Sequence, residues 1–170
     1  AIIWSVRLPR VLVAGLVGFA LAASGAAMQG LFRNPLADPG IIGVSAGGSM
    51  GAVVAIFLQL HTVSGWWTPA FAFAGALLAA SLAYALATRG GRTDTATLLL
   101  AGVALSSLFS AVISLLYHFV EDGILRQIVY WLMGNLAGRR WEHLSLAAPF
   151  VLAGTAGLML LATELHIMAG

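Results

Sequence analysis

Between Asp38 and Arg89 the chain carries no acid, lysine or arginine. A run of that length has no charged face to turn toward water, and it is more than twice what one helix needs to cross a bilayer, about 20 residues. Further uncharged apolar intervals lie on either side of it. Overall, 61% of residues belong to the set AVILMFWYC and only 8% are charged, whereas a soluble domain carries roughly a quarter charged residues. A soluble globular fold is therefore excluded. Disorder is excluded as well, because disordered chains are poor in the apolar residues that dominate here. The solvent of this chain is lipid.

The charge-free intervals predict the spans. Residues 11 to 32 give the first. The long interval divides at Gln59, His61, Thr62, Ser64, Trp66, Trp67, Thr68 and Pro69, which gives spans near 41 to 60 and 69 to 88; two more follow at 95 to 119 and 144 to 163. Continuous apolar runs favour helices over a barrel, whose strands alternate in ten-residue segments. Between the fourth and fifth spans, residues 124 to 138 set Ile124, Leu125, Ile128, Val129, Leu132, Met133 and Leu136 at helical spacing, with Tyr130, Trp131 and Trp141 nearby. This stretch is too short to cross and reads as a helix lying at the interface; a buried half-helix is the alternative. The expected fold class is all-α, a polytopic helical bundle of about five spans plus one short interfacial helix, forming a single transmembrane domain over residues 1–170.

The net charge of +2 comes from eight arginines without a lysine, against six acids. The arginines are scattered between apolar blocks, which argues against a nucleic-acid partner. If the spans alternate sides, one side collects Arg7, Arg10, Arg126, Arg139 and Arg140, and the other Arg33, Arg89 and Arg92. Charge bias alone would make the first side cytoplasmic. Without cysteine there are no disulfides, thiolate metal sites or cysteine nucleophiles. The opening Ala1-Ile2-Ile3-Trp4 lacks an initiator Met and the features of a signal peptide, and reads as a segment of a longer protein.

Several motifs could carry function. In Arg33-Asn34-Pro35-Leu36-Ala37-Asp38-Pro39-Gly40 the two prolines disfavour helix before them, and Asp38 is placed to cap the next helix with Pro39 in its first turn. Gly43, Gly47 and Gly51 recur at intervals of four, a device for close helix packing in lipid. The same residues contain Gly43-Val44-Ser45-Ala46-Gly47, a formal match to the nucleophile elbow, which would make Ser45 a catalytic serine only on a strand-to-helix turn with a base in reach. Ser106, Ser110 and Ser114, with Ser107 beside them, form a stripe that either bonds neighbouring helices or borders a wet pathway. His61, His118, His143 and His166 share no metal-ligand spacing, and His118 with Glu121 and Asp122 is the one acid-histidine cluster. No metal and no cofactor are expected. Without lysine there is no phosphate-binding loop of the G-x-x-x-x-G-K-[ST] type, and no span carries the ionisable residues of a proton relay, so energy is expected from a partner.

Arg7-Leu8-Pro9-Arg10, the helix ending Ser24-Gly25-Ala26-Ala27-Met28-Gln29-Gly30, and the run from Arg33 through Gly47 together resemble the FecCD-type permeases. Leu98-Leu99-Leu100-Ala101-Gly102-Val103-Ala104-Leu105 and Tyr130-Trp131-Leu132-Met133-Gly134-Asn135-Leu136 extend the resemblance along the chain. It implies the membrane subunit of a bacterial ATP-binding-cassette importer for iron-siderophore, haem or cobalamin, in that order of family frequency, without enzymatic activity of its own. It implies ten helices per subunit, of which this chain would hold the second to sixth and stop at Glu164-Leu165-His166-Ile167-Met168-Ala169-Gly170, just before the loop that docks the ATPase. Implied partners are a second permease copy in a homodimer, two ATP-binding subunits and a periplasmic substrate-binding protein, all at the inner membrane. Arg7 and Arg10 would face the periplasm, against the charge bias, to meet carboxylates of the binding protein. Asn34, Pro35 and Leu36, with Thr93 and Asp94, would sit at the cytoplasmic gate; Asp94 is a charge where relatives often carry a small polar residue. An intramembrane serine hydrolase using Ser45 and a passive channel along the serine stripe are the competing expectations.

Overall fold

Helices dominate wherever the sequence is continuously apolar, because a backbone in lipid must satisfy its own hydrogen bonds. The computed structural model describes the backbone of residues 2–169 and the side chains of residues 2–161. His166 and the Glu164–Gly170 stretch of the family resemblance thus lie outside the residues whose side chains are described. The described residues form six α-helices: α1 (Leu8–Phe32), α2 (Val44–Phe57), α3 (Trp67–Ala87), α4 (Thr95–Leu116), α5 (Asp122–Leu132) and α6 (Trp141–Ala169). A π-helical lead-in, Ile3–Arg7, runs directly into α1. Among the described residues four segments are long and apolar enough to cross a membrane: Ile3–Phe32, Trp67–Ala87, Thr95–Leu116 and Trp141–Leu161. The chain divides into two compact units, residues 1–38 with 135–170, and residues 39–134.

In the first unit α1 packs along α6. The two helices start at the same end, where the Trp141 indole Nε1–H donates to the Trp4 carbonyl at 3.1 Å and the rings lie 5.5 Å apart. Pro9, which follows directly on the π-helical turn, is fully buried. Most of the remaining apolar surface of both helices is exposed in the chain, as expected of helices that face lipid or further helices.

The second unit is built on α2 and α3, with α4 across both and α5 against α2. Val53 and Ile56 of α2, Ile113 of α4 and Ile128 of α5 form one core cluster, and Ala83, Ala101 and Leu105 form another. The expected span 41 to 60 is shorter than the periodicity suggested: α2 has 14 residues, about 21 Å, which falls short of a hydrocarbon core of about 30 Å. Gly43 at φ +83° and Gln59 at φ +54° take left-handed conformations that bound it. For the same reason Asp38 does not cap this helix. Residues 39–43 form turns instead, with the Gly43 N–H donating to the Gly40 carbonyl at 3.0 Å, and α2 begins only after them.

The short helix expected within 124 to 138 is α5, an 11-residue helix that starts at Asp122 and stops before Gly134 at φ +75°. Its Ile124–Ile128 edge packs into the first core cluster, while Val129, Tyr130 and Met133 stay exposed. An element the periodicity did not indicate joins α3 to α4. Strands β1 (Thr88–Arg89) and β2 (Arg92–Thr93) pair antiparallel around Gly90 and Gly91, at φ +59° and +77°. Two successive positive φ angles define the tight hairpin turn that glycine pairs favour.

Candidate functional site

The turn after α1 is held from both sides. Arg33 closes the helix in the left-handed region at φ +48°, and the Asn34 N–H donates to the Gln29 carbonyl at 3.1 Å, which satisfies a carbonyl the helix end leaves open. Asn34 Oδ1 then accepts from the Leu36 N–H at 2.9 Å, and the Asn34 carbonyl accepts from the Ala37 N–H at 3.1 Å. With Pro35 fixing its own φ, the turn has little freedom left. Leu36 at its tip is 85% exposed, an apolar side chain held rigidly in the open.

Thr93 and Asp94 lie in the second unit, at the end of the hairpin. Asp94 is the N-cap of α4: its Oδ2 accepts from the Thr97 N–H at 2.8 Å and from the Thr97 hydroxyl at 2.6 Å. The Thr97 hydroxyl first, and its backbone N–H second, hold the Asp94 carboxyl below its ordinary value. The charge at this position thus has a local use. The Thr93 hydroxyl shares a hydrogen bond with that of Thr88 at 2.9 Å across the hairpin. Beside them opens a concavity of about 530 Å³, lined by Arg89, Arg92, Thr93, Asp94 and Thr97 over Leu86.

The glycine face of α2 meets backbone. A Cβ on Gly47 would collide with the Gly75 carbonyl and Ala79, and one on Gly51 with the Phe71 carbonyl, both on α3. A Cβ on Gly43 would come within 3.0 Å of the Gly102 carbonyl on α4, and one on Gly102 would strike Ile41 and Ile42. Sequence reasoning picked out Gly43, Gly47 and Gly51 but not their partners Gly75 and Gly102, whose spacing carries no signal.

Of the serine stripe, the Ser106 hydroxyl donates to the Gly102 carbonyl of its own helix at 2.8 Å, as Ser107 does to Val103 at 3.0 Å. Ser110 and Ser114 are exposed in the chain. Arg7 and Arg10 are exposed at the start of α1, at the end marked by the Trp4–Trp141 contact.

Ser45 lies in the first turn of α2, preceded by turns rather than a strand, so the nucleophile-elbow geometry is absent. His118 Nδ1 faces the Ser114 carbonyl at 3.1 Å, and His143 Nδ1 accepts from the Arg140 N–H at 3.2 Å. Among the described residues no three His, Asp or Glu side chains converge as a metal site would require.

The first unit thus offers a rigid exposed turn, and the second a capped hairpin and a seam of glycines. The FecCD transport family matches over residues 1–170. The chain belongs to that family. It is 50% identical over 168 residues to the cobalamin import system permease protein BtuC of Halobacterium salinarum, covering 98% of this chain and 44% of the relative. It is 43% identical to the uncharacterized ABC transporter permease protein YvrB of Bacillus subtilis, with 98% and 48% covered. The vitamin B12 import system permease protein BtuC of Salmonella paratyphi A is 44% identical over 141 residues, with 83% and 43% covered. A solved inward-facing conformation of an ABC transporter assigned to the metal-chelate type superimposes with a TM-score of 0.77 at 35% identity, covering 96% of this chain and 49% of the other. The chain therefore spans a little under half the length of the curated relatives it matches. As a FecCD-family chain with four membrane-length helices, it is part of a multi-pass membrane protein.

Proposed function

We propose that this chain is part of the permease of an ATP-binding-cassette importer that moves a metal chelate, cobalamin first, across the plasma membrane by alternating access. The observation that carries the reading is the 50% identity to a cobalamin import permease over 98% of the chain. Family frequency alone favours iron-siderophore, with haem next. The relatives named for cobalamin or vitamin B12 import move that cargo to the front.

In this reading residues 1–170 belong to one permease domain that works as a homodimer with two ATP-binding subunits and a periplasmic substrate-binding protein. ATP hydrolysis belongs to the ATP-binding subunits; the absence of lysine from this chain agrees with that division. Arg7 and Arg10 face outward and dock the binding protein. The shared end of α1 and α6 supports one side for Arg7, Arg10, Arg139 and Arg140. Asn34, Pro35 and Leu36 serve the cytoplasmic gate, as do Thr93 and Asp94. Ser106, Ser110 and Ser114 line the pathway, and Gly43, Gly47 and Gly51 keep the helices around it close.

Cargo is tested in cells that lack their own cobalamin importer and require external cobalamin. The complete permease with its cognate subunits should restore growth on low cobalamin. Rescue of ferric-siderophore uptake with no cobalamin uptake would reassign the cargo.

A further inference from the structure

Arg89 and Arg92 are direct cross-strand partners in the hairpin between two membrane-length helices. Side chains of directly paired residues leave the same face of a strand pair, with Cα atoms about 5.5 Å apart or less. Like charges so placed repel, and a hairpin of four strand residues has little else to hold it. The threonine pair that hydrogen-bonds across the hairpin belongs to the neighbouring register position and so leaves the opposite face.

Among the described residues neither guanidinium makes an ion pair or a side-chain hydrogen bond, and the one carboxylate in the adjoining concavity, Asp94, is engaged by Thr97 through Oδ2. Two forked guanidinium groups at this separation suit one phosphate group.

The position of the pair says where that phosphate comes from. Arg89 lies two residues beyond the end of α3 and Arg92 three before the start of α4, so both sit at the depth where a spanning helix meets the headgroup layer. Leu78, Leu82 and Leu86 recur at intervals of four on α3, all exposed in the chain, and Leu86 reaches the concavity. That stripe is an apolar track ending beneath two cations.

We infer that the Arg89–Arg92 hairpin is a binding site for the phosphate of an anionic phospholipid, whose acyl chains lie along the Leu78–Leu82–Leu86 face of α3. The site does not depend on what the transporter carries, and it adjoins the proposed gate residues Thr93 and Asp94 without using them. The test is native mass spectrometry of the complete permease, purified in detergent and titrated with phosphatidylglycerol or phosphatidylcholine. The wild type should retain phosphatidylglycerol preferentially. Each arginine near an anionic lipid surface is worth roughly a five-fold change in binding, so Arg89→Gln with Arg92→Gln should weaken retention roughly 25-fold. Arg89→Lys with Arg92→Lys should recover part of it, and Arg126→Gln, an exposed arginine elsewhere, should leave it unchanged. Leu82→Ser should weaken lipid retention with both arginines intact. Equal retention by the wild type and the double glutamine variant would overturn the site. Displacement by inorganic phosphate at matched concentration would overturn the lipid as its source, and release of the lipid on adding the ATP-binding subunit would assign the pair to a protein partner instead.

Discussion

Replacing Gly51 by alanine adds one methyl group to the surface where α2 crosses α3, and that methyl has nowhere to go. It would fall on the Phe71 carbonyl, which is backbone and cannot rotate aside, so the two helices must separate. Forcing an extra methyl group into a packed interface costs about 1–3 kcal/mol. Against this stands the gain of about 1 kcal/mol when a helical glycine becomes alanine. Gly48, three residues earlier on the same helix, separates the two contributions. A Cβ there would lie 3.4 Å from the Ala72 carbonyl and 3.7 Å from the Ala76 Cβ, ordinary contact that needs no movement. The propensity gain is common to both substitutions and cancels in their difference. Gly51→Ala should therefore be less stable than Gly48→Ala by about 1–3 kcal/mol, which is about 5- to 150-fold in the unfolding equilibrium. Reversible unfolding in detergent micelles, followed by circular dichroism, measures that difference. Equal stability of the two variants would show that close approach at Gly51 does not hold α2 to α3.

Three further outcomes are expected. Leu36→Ala should leave folding stability within about 0.5 kcal/mol, because the side chain is 85% exposed, yet should leak substrate or raise the ATP used per molecule transported; wild-type coupling without a leak would remove Leu36 from the gate. Arg7→Glu with Arg10→Glu should weaken binding-protein association and flatten its salt dependence, since close interfacial charge pairs contribute about 1.5–7 kcal/mol; unchanged affinity and salt response would leave the arginines as helix anchors. Asp94→Ala should speed hydrogen exchange at the Thr97 amide, while Asp94→Asn keeps a capping acceptor. Because the folded carboxyl is held below its ordinary value, the cap contributes fully above the ordinary carboxylate range and is lost as pH falls through the lower folded value, so acid should reduce the protection of the Thr97 amide relative to its intrinsic exchange rate in the wild type only.

Four spans were legible because a membrane-length helix announces itself by a charge-free run, and α3, α4 and the spanning parts of α1 and α6 fall where those runs lie. The short α2 was not, since an apolar run does not reveal where its backbone turns left-handed: Gly43 reads as a packing residue and is also the turn that delays the helix. The hairpin did leave a signal. Gly90-Gly91 between Thr88-Arg89 and Arg92-Thr93 is a two-residue turn between β-compatible flanks, obscured by the expectation of helix on both sides. Asp94, an unexplained charge in sequence, became an N-cap once the start of α4 was known, and the spacing to Thr97 could have suggested it. The glycine partners were beyond reach, because which helix Gly47 and Gly51 meet is a property of tertiary pairing that periodicity does not encode.

The most direct test of the proposed function is uptake into sealed vesicles. The complete permease is reconstituted with its ATP-binding subunit, the binding protein is supplied outside with labelled cobalamin, and ATP is enclosed within. Accumulation that requires both enclosed ATP and the binding protein is the expected result. Cobalamin entry at the same rate without ATP would make the pathway a passive channel, and ATP hydrolysis with no cargo accumulated under any binding protein would contradict a role in import.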